Sequence, residues 1–179
     1  MSLKLNSKAI LLAKLTEKEL YDLANFNCGD DEMNCFLKDE SLIEQEYGMN
    51  TTMLLYYTGK LACFYSICTD SLKLTDEELE QIEDEISYST VPAIKIARLG
   101  RDIGFNGLGL GKCMIKHVIH QALEIDENLC GVRMITLDAY PHRVDYYKSL
   151  GFKENLHRMY QGKNKSTVSM RYDIYSEIF

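Results

Sequence analysis

The sequence predicts a mixed α/β domain built on one central sheet. Three observations carry that reading. In the first half, two β-branched and aromatic runs, Thr51 to Tyr57 and Leu61 to Thr69, flank the turn Thr58-Gly59-Lys60, the pattern of an antiparallel pair. In the second half, strand-like runs alternate with helical ones, which implies a parallel pair joined by a crossover helix. That helix is marked by an amphipathic stretch from Gly109 to about Asn128, with Met114, Ile115, Val118, Ile119, Leu123 and Ile125 on one face.

The remaining elements follow in order. Ala9 to Leu15 reads as a first strand. Thr16 with Glu19 three residues on is a capping box, opening a helix to about Asn25. Phe26-Asn27-Cys28-Gly29 breaks it. A second helix is expected over Asp30 to Glu46, with Met33, Phe36, Leu37 and Ile43 inward, ending at Gly48. Thr75 and Glu78 form another capping box, for an acidic helix to about Ile86 with Leu79, Ile82 and Ile86 inward. Pro92 starts a strand over Val91 to Leu99. Met134 to Ala139 is the next strand, Pro141 suits the first turn of a helix ending near Leu150-Gly151, and Thr167 to Ile174 is the last strand. The order is β-α-α-β-β-β-α-β-α-β, with an extra acidic helix before the fourth strand.

A length of 179 residues favours a single domain over 1–179 with a sizeable core, and 46% hydrophobic residues suits a globular protein. The apolar runs fall short of the ~18 residues a membrane span needs. The start, Met1-Ser2-Leu3-Lys4-Leu5-Asn6, lacks the apolar segment of a signal peptide. A cytoplasmic protein is expected. The six cysteines (Cys28, Cys35, Cys63, Cys68, Cys113 and Cys130) show no zinc-type spacing and read as free, mostly buried thiols. A net charge of −7 argues against broad nucleic-acid binding but leaves room for a local basic groove.

The chemistry concentrates at "RLGRDIGFNGLGLGKC", Arg98 to Cys113. A strand that feeds a glycine-rich turn into a helix start offers unpartnered N–H groups and a favourable dipole to an anion. A phosphate loop of the G-x-x-x-x-G-K-[ST] type fails twice, because Asn106 stands where its first glycine belongs and Cys113 where its hydroxyl belongs. The dinucleotide pattern G-x-G-x-x-G also fails, since the spacing here is G-x-G-x-G.

Asn106-Gly107-Leu108-Gly109-Leu110-Gly111 resembles the acetyl-coenzyme A loop of the GCN5-related N-acetyltransferases (GNAT), [QR]-x-x-G-x-[GA], with Asn in place of Gln or Arg. Tyr146-Tyr147-Lys148-Ser149-Leu150-Gly151-Phe152 resembles the family's second signature, one strand later. The resemblance runs from about Ala9 to Ile174. It implies that amides from Gly107 to Lys112 (Gly107, Leu108, Gly109, Leu110, Gly111, Lys112) wrap a pyrophosphate beside Asn106. It also implies that Leu99, Gly100 and Arg101 offer backbone groups to the pantetheine arm. Acetyl-CoA would be the cosubstrate, with no metal, and the activity would be that of an acyltransferase. Phe26-x-Cys28-Gly29, Phe36-Leu37 and Ala97-Arg98-Leu99-x-x-Asp102 resemble a subgroup that includes toxins acetylating aminoacyl-tRNA, which pair with ribbon-helix-helix antitoxins.

By that match Tyr147 is the proton donor to the leaving thiolate, since a phenol with pKa ~10 stays neutral at pH 7. A backbone N–H near Leu99 is the oxyanion donor, and the thioester is expected to pass between the strands ending at Leu99 and Ala139. Asp138 and Asp102 stand near strand ends as candidate bases, though either could simply cap a turn. Tyr146 is read as a packing residue. Tyr140 and Arg143 replace the family's usual Asn and small residue, so Arg143 or Lys148 could meet a coenzyme phosphate, against the plainer reading of a solvated face. His117 and His120 have a spacing that could hold a metal, but no third ligand suggests itself.

For the acceptor, "TDEELEQIEDEI" supplies seven acids (Asp76, Glu77, Glu78, Glu80, Glu83, Asp84, Glu85) without a base. Such a rim repels tRNA and attracts a cationic amine or basic peptide, unless it is only a solvated helix face. The main reading is therefore acetyl transfer to a small cationic amine or basic peptide. A tRNA-directed toxin, using a basic groove around Arg158, Lys163 and Lys165, is the alternative. A non-catalytic acyl-CoA-binding module is the reading from another class. The partners considered are a small-molecule or peptide acceptor, tRNA, a ribbon-helix-helix antitoxin and a second copy in a homodimer, without a membrane.

Overall fold

In the computed structural model, which describes residues 9–80, 82, 88–162 and 166–176, seven strands form one sheet in the order β1-β2-β3-β4-β5-β7-β6. They are β1 (Ile10–Lys14), β2 (Thr51–Tyr57), β3 (Lys60–Lys73), β4 (Thr90–Arg101), β5 (Met134–Ala139), β6 (Lys153–Glu154) and β7 (Val168–Asp173). The helices are α1 (Leu20–Leu23), α2 (Asp31–Cys35), α3 (Ser41–Glu46), α4 (Asp76–Glu80), α5 (Leu110–Asn128) and α6 (Val144–Lys148). The chain groups into two compact units: up to Cys68 with Ile96–Val118, and Thr69–Lys95 with the residues from Ile119 on.

In the first unit β1 pairs antiparallel with β2, and β2 with β3. The hairpin turns through Thr58 (φ 51) and Gly59 (φ 78), the two-residue loop whose twist suits adjoining strands. Thr16 caps as its spacing predicts: its N–H donates to the Glu19 carboxylate at 2.9 Å and its hydroxyl accepts from the Lys18 N–H at 3.3 Å. The core gathers Leu15, Leu23, Phe26, Phe36, Leu37, Leu54 and Phe64. Phe26 meets Phe64 edge-on at 5.4 Å between centroids.

The expected second helix is α2 and α3 joined by a π turn over Phe36–Glu40. A π turn adds one residue to a helical turn, so the inward stripe shifts by one position. Ser41 is buried, its hydroxyl donating to the Leu37 carbonyl at 2.6 Å. Ile43, expected inward, is 54% exposed.

In the second unit β7 pairs antiparallel with β5 on one side and with β6 on the other. β6 was not anticipated: two polar residues leave no alternating pattern to read. Leu72, Leu74, Val91, Ala93 and Met134 form a core, with Leu79, Ile82 and Tyr160 against it. The Thr75–Glu78 capping box is present: Thr75 N–H donates to Glu78 Oε2 at 2.9 Å, and Glu78 N–H to Thr75 Oγ1 at 3.3 Å. Beyond it Glu83, Asp84, Glu85 and Ile86 lie outside the described residues, as do Lys163 and Lys165.

The thiols are free, but fewer are buried than expected. Cys63 is buried, Cys28, Cys68 and Cys113 are half-buried, and Cys35 and Cys130 are exposed. Cys35 sits on a helix side turned to solvent, where Asp39 and Glu40 accept weak bonds from its Sγ. No helix among the described residues is long and apolar enough to cross a membrane.

Candidate functional site

In the first unit, β4 delivers Leu99, Gly100 and Arg101 to its end. Gly100 is buried, and a Cβ there would lie 2.3 Å from Phe64 Cε1 and 3.0 Å from Cδ1. Only glycine lets this strand end sit on that ring. Asp102 follows as the cap of a 3₁₀ turn over Ile103–Phe105: its Oδ1 accepts the Gly104 N–H at 2.8 Å, and its own N–H donates to the Ala62 carbonyl at 2.9 Å. Phe105 stands edge-on to Tyr57 at 6.2 Å.

Asn106 then extends the chain (φ −62, ψ 144) into the glycine turn. Gly107 (φ 78) and Gly109 (φ 76) both sit in the left-handed region, and nothing comes within 4 Å of where their Cβ atoms would stand. Asn106, Gly107 and Gly109 are exposed, Leu108 half-buried and Leu110 buried. The Gly109 carbonyl accepts the Cys113 N–H at 3.2 Å, which starts α5. The N–H groups of Leu110, Gly111 and Lys112 therefore fall in the first turn, where an α-helix leaves donors without internal partners. A 19-residue helix behind them adds its dipole. An open turn, free of side chains at Gly107 and Gly109, with first-turn donors fits a diphosphate.

In the second unit α6 follows a 3₁₀ turn over Pro141–Arg143 and carries Tyr146 and Tyr147. The Tyr147 ring meets Phe152 at 5.7 Å and Tyr146 at 5.3 Å. Tyr146, expected to pack, does so against that ring but stays 36% exposed. The reason is helix geometry, since successive residues point about 100° apart and only one can face the β6 approach. Burial pushes the Tyr147 phenol up to about 12, reinforced by Tyr146 and opposed by the Arg143 guanidinium.

Both candidate bases are engaged. Lys95 Nζ lies 2.6 Å from Asp138 Oδ2. Asp102 accepts backbone N–H groups on both oxygens, from Gly104 at 2.8 Å and Asn27 at 2.9 Å. Lys148 pairs with Glu154 at 2.6 Å, which weakens its candidacy for a phosphate, while Arg143 is exposed. His117 Nδ1 shares a 2.8 Å hydrogen bond with the buried Tyr65 hydroxyl, and His120 stands 3.5 Å from Glu124. Among the described residues no group of three or more His, Cys, Asp or Glu could hold a metal.

The acid run departs from expectation at Glu78, which is buried and lies 2.6 Å from Arg171 Nη2. Asp76, Glu77 and Glu80 are exposed. Sequence reasoning missed Arg171, Asn27 and Asn34 as structural partners. The subgroup-like match at Phe26-x-Cys28-Gly29 was the only signal near the asparagines.

No protein-family model matches the chain. Solved structures do. AtaT complexed with acetyl-methionyl-tRNAfMet aligns with a TM-score of 0.78 at 20% identity, over 94% of this chain and 96% of that one. A tyrosine-to-phenylalanine mutant of KacT aligns with a TM-score of 0.78 at 19% identity, over 96% and 99%. An AtaT mutant toxin bound to the C-terminus of the antitoxin AtaR and acetyl-CoA aligns with a TM-score of 0.70 at 19% identity, over 91% and 93%. The chain has the GNAT-like fold of these structures.

Proposed function

We propose that this chain works as one N-acetyltransferase domain that moves an acetyl group from acetyl-CoA to the α-amino group of an aminoacyl-tRNA. The whole-chain likeness to AtaT in complex with acetyl-methionyl-tRNA supports the tRNA acceptor over the small amine. The loss of both free bases supports it on chemical grounds. An ammonium with pKa ~10.4 needs a base before it can attack, whereas an α-amino group near ~8 is already about a tenth to a half neutral between pH 7 and 8. Asp138 and Asp102, the carboxylates nominated as base, are held by Lys95 and by two backbone N–H groups.

The cosubstrate supplies a thioester when bound. Amides from Gly107 to Lys112 are assigned to its diphosphate, with Asn106 beside them, and the backbone of Leu99, Gly100 and Arg101 to its pantetheine arm. The Leu99 N–H is assigned to the carbonyl oxygen as it gains charge. The Tyr147 hydroxyl is assigned to the thiolate sulfur: the new C–N bond forms as the C–S bond breaks, the phenol proton goes to sulfur, and the proton shed by the amide nitrogen returns through water to the phenolate. Burial keeps that phenol protonated at neutral pH. An antitoxin peptide is the expected partner, by likeness to AtaT with AtaR.

A small cationic amine or basic peptide remains the second reading, favoured by the exposed Asp76, Glu77 and Glu80 and the net charge of −7. The deciding experiment supplies labelled acetyl-CoA with charged tRNA, uncharged tRNA, polyamines and basic peptides in parallel. Label in acid-insoluble material that needs charged tRNA and is lost on mild alkaline deacylation is expected. Label only in amines or peptides establishes the second reading, and no free thiol from any acceptor overturns the enzyme.

A further inference from the structure

Two stretches of sequence that no assigned role uses, Phe26-x-Cys28-Gly29 and the Asp102 that closes Ala97-Arg98-Leu99-x-x-Asp102, are joined in the first unit by one hydrogen-bond system. The Asn27 N–H donates to Asp102 Oδ2 at 2.9 Å, a contact between residues 75 apart in sequence. The Asn27 carbonyl accepts the Ile103 N–H at 2.9 Å. The Asn27 side-chain Oδ1 accepts both the Gly29 N–H at 2.8 Å and Asn34 Nδ2 at 3.0 Å. Asn34 Oδ1 in turn accepts the Cys28 N–H at 2.9 Å. A Cβ on Gly29 would stand 3.4 Å from Ile103 Cγ2, so the Gly29 position faces that side chain.

We propose that Asp102 is a positioning residue which, through Asn27 and Asn34, holds the glycine turn Asn106–Lys112 in its anion-binding shape. The inference rests on the acetyl-CoA reading of that turn. A carboxylate whose two oxygens each accept a backbone N–H, from Gly104 and from Asn27, ties two chain segments together, a geometry suited to anchoring. Asp102 also donates its N–H to Ala62 and caps the 3₁₀ turn that ends one residue before Asn106. With so short a lever, a shift at Asp102 is carried into Gly107 and Gly109. Misplacement of a binding group by about 1 Å costs up to ~10²-fold.

The test measures coenzyme A affinity of the full chain by titration calorimetry, with thermal melts to show that each variant is folded. Asp102→Asn replaces one acceptor by an NH₂ facing an N–H group, and is expected to weaken binding about tenfold. Asn34→Ala, on α2, removes both of its bonds to the 27–29 loop and is expected to weaken binding about threefold. The double variant should be no worse than Asp102→Asn alone, because the two act along one path. With any acceptor the wild type uses, kcat at saturating acetyl-CoA and its pH profile should stay at wild-type values, which a lost general base would not allow. A wild-type chain that fails to bind coenzyme A overturns the acetyl-CoA reading itself. A wild-type chain that binds overturns this inference alone if either variant binds within twofold of it, if the losses multiply, or if kcat and its pH profile move. Asn34→Ala keeps the Asp102 cap intact, so it carries the test should Asp102→Asn melt early.

Discussion

Arg171 Nη2 lies 2.6 Å from Glu78 Oε1, with side chains 11% and 4% exposed. Arg171 also spends Nη1 on the Glu154 carbonyl at 2.8 Å and Asn155 Oδ1 at 3.2 Å. This ties α4 to β7 and takes Glu78 out of the charged rim. Removing one member of such a pair leaves the other charge buried without a counter-ion. Glu78→Gln should therefore cost about 3–5 kcal/mol of stability, read as a lower urea midpoint at unchanged slope, with little salt dependence in the wild type. A change under about 1 kcal/mol would show a pair no stronger than a surface one.

Gly100→Ala should destabilise through contact with Phe64. A Cβ 2.3 Å from an aromatic carbon forces the ring or the strand to move, and overpacking of this kind costs about 1–3 kcal/mol. Phe64→Leu removes the clashing ring edge, so Gly100→Ala should cost less in that background than in the wild type. Equal costs in the two backgrounds would place the strain elsewhere.

Local signals carried much of the fold. The Thr16–Glu19 and Thr75–Glu78 boxes, the hairpin at Thr58-Gly59 and the stripe of α5 all depend on residues within a few positions of one another, which a sequence displays directly. The glycine turn was legible for the same reason. What escaped depends on tertiary position. Glu78 was legible as the cap partner of Thr75 but not as half of a buried ion pair, because Arg171 comes 93 positions later (171 − 78). Asp102 stood as either a base or a turn cap; it is the cap, and nothing local shows the Asn27 N–H that fills its second oxygen. The π turn over Phe36–Glu40 moved Ile43 outward, and a uniform helical period cannot foresee an inserted residue.

Gly109→Glu should abolish coenzyme A binding. Position 109 has φ 76, which disfavours any side chain, and the space around it is open. Gly109→Ala isolates the backbone strain, at about 1–2 kcal/mol of stability, and should weaken binding less. The glutamate adds a carboxylate at the helix start where a diphosphate would bind. Calorimetry on folded protein decides: an unchanged dissociation constant for Gly109→Glu would detach the coenzyme from this turn.

Tyr147→Phe should lower turnover about 10²–10⁴-fold at saturating substrates while leaving coenzyme affinity near wild type, since the ring and its contact with Phe152 remain. The pH dependence gives a second handle. Burial pushes the phenol up to about 12, so the hydroxyl stays protonated well past the ~10 of an unfolded chain. The folded state thus disfavours the phenolate, and the linked stability is present below pH ~10 and lost as pH rises from there toward 12. Two outcomes follow in the wild type. Any fall in kcat between pH 8 and 10 belongs to another group. Stability should drop more steeply above pH ~10 than in Tyr147→Phe, which has no proton to lose. Near wild-type kcat in Tyr147→Phe, with the alkaline stability difference intact, would leave Tyr147 as a packing residue and send the search for the thiolate's proton donor to another group.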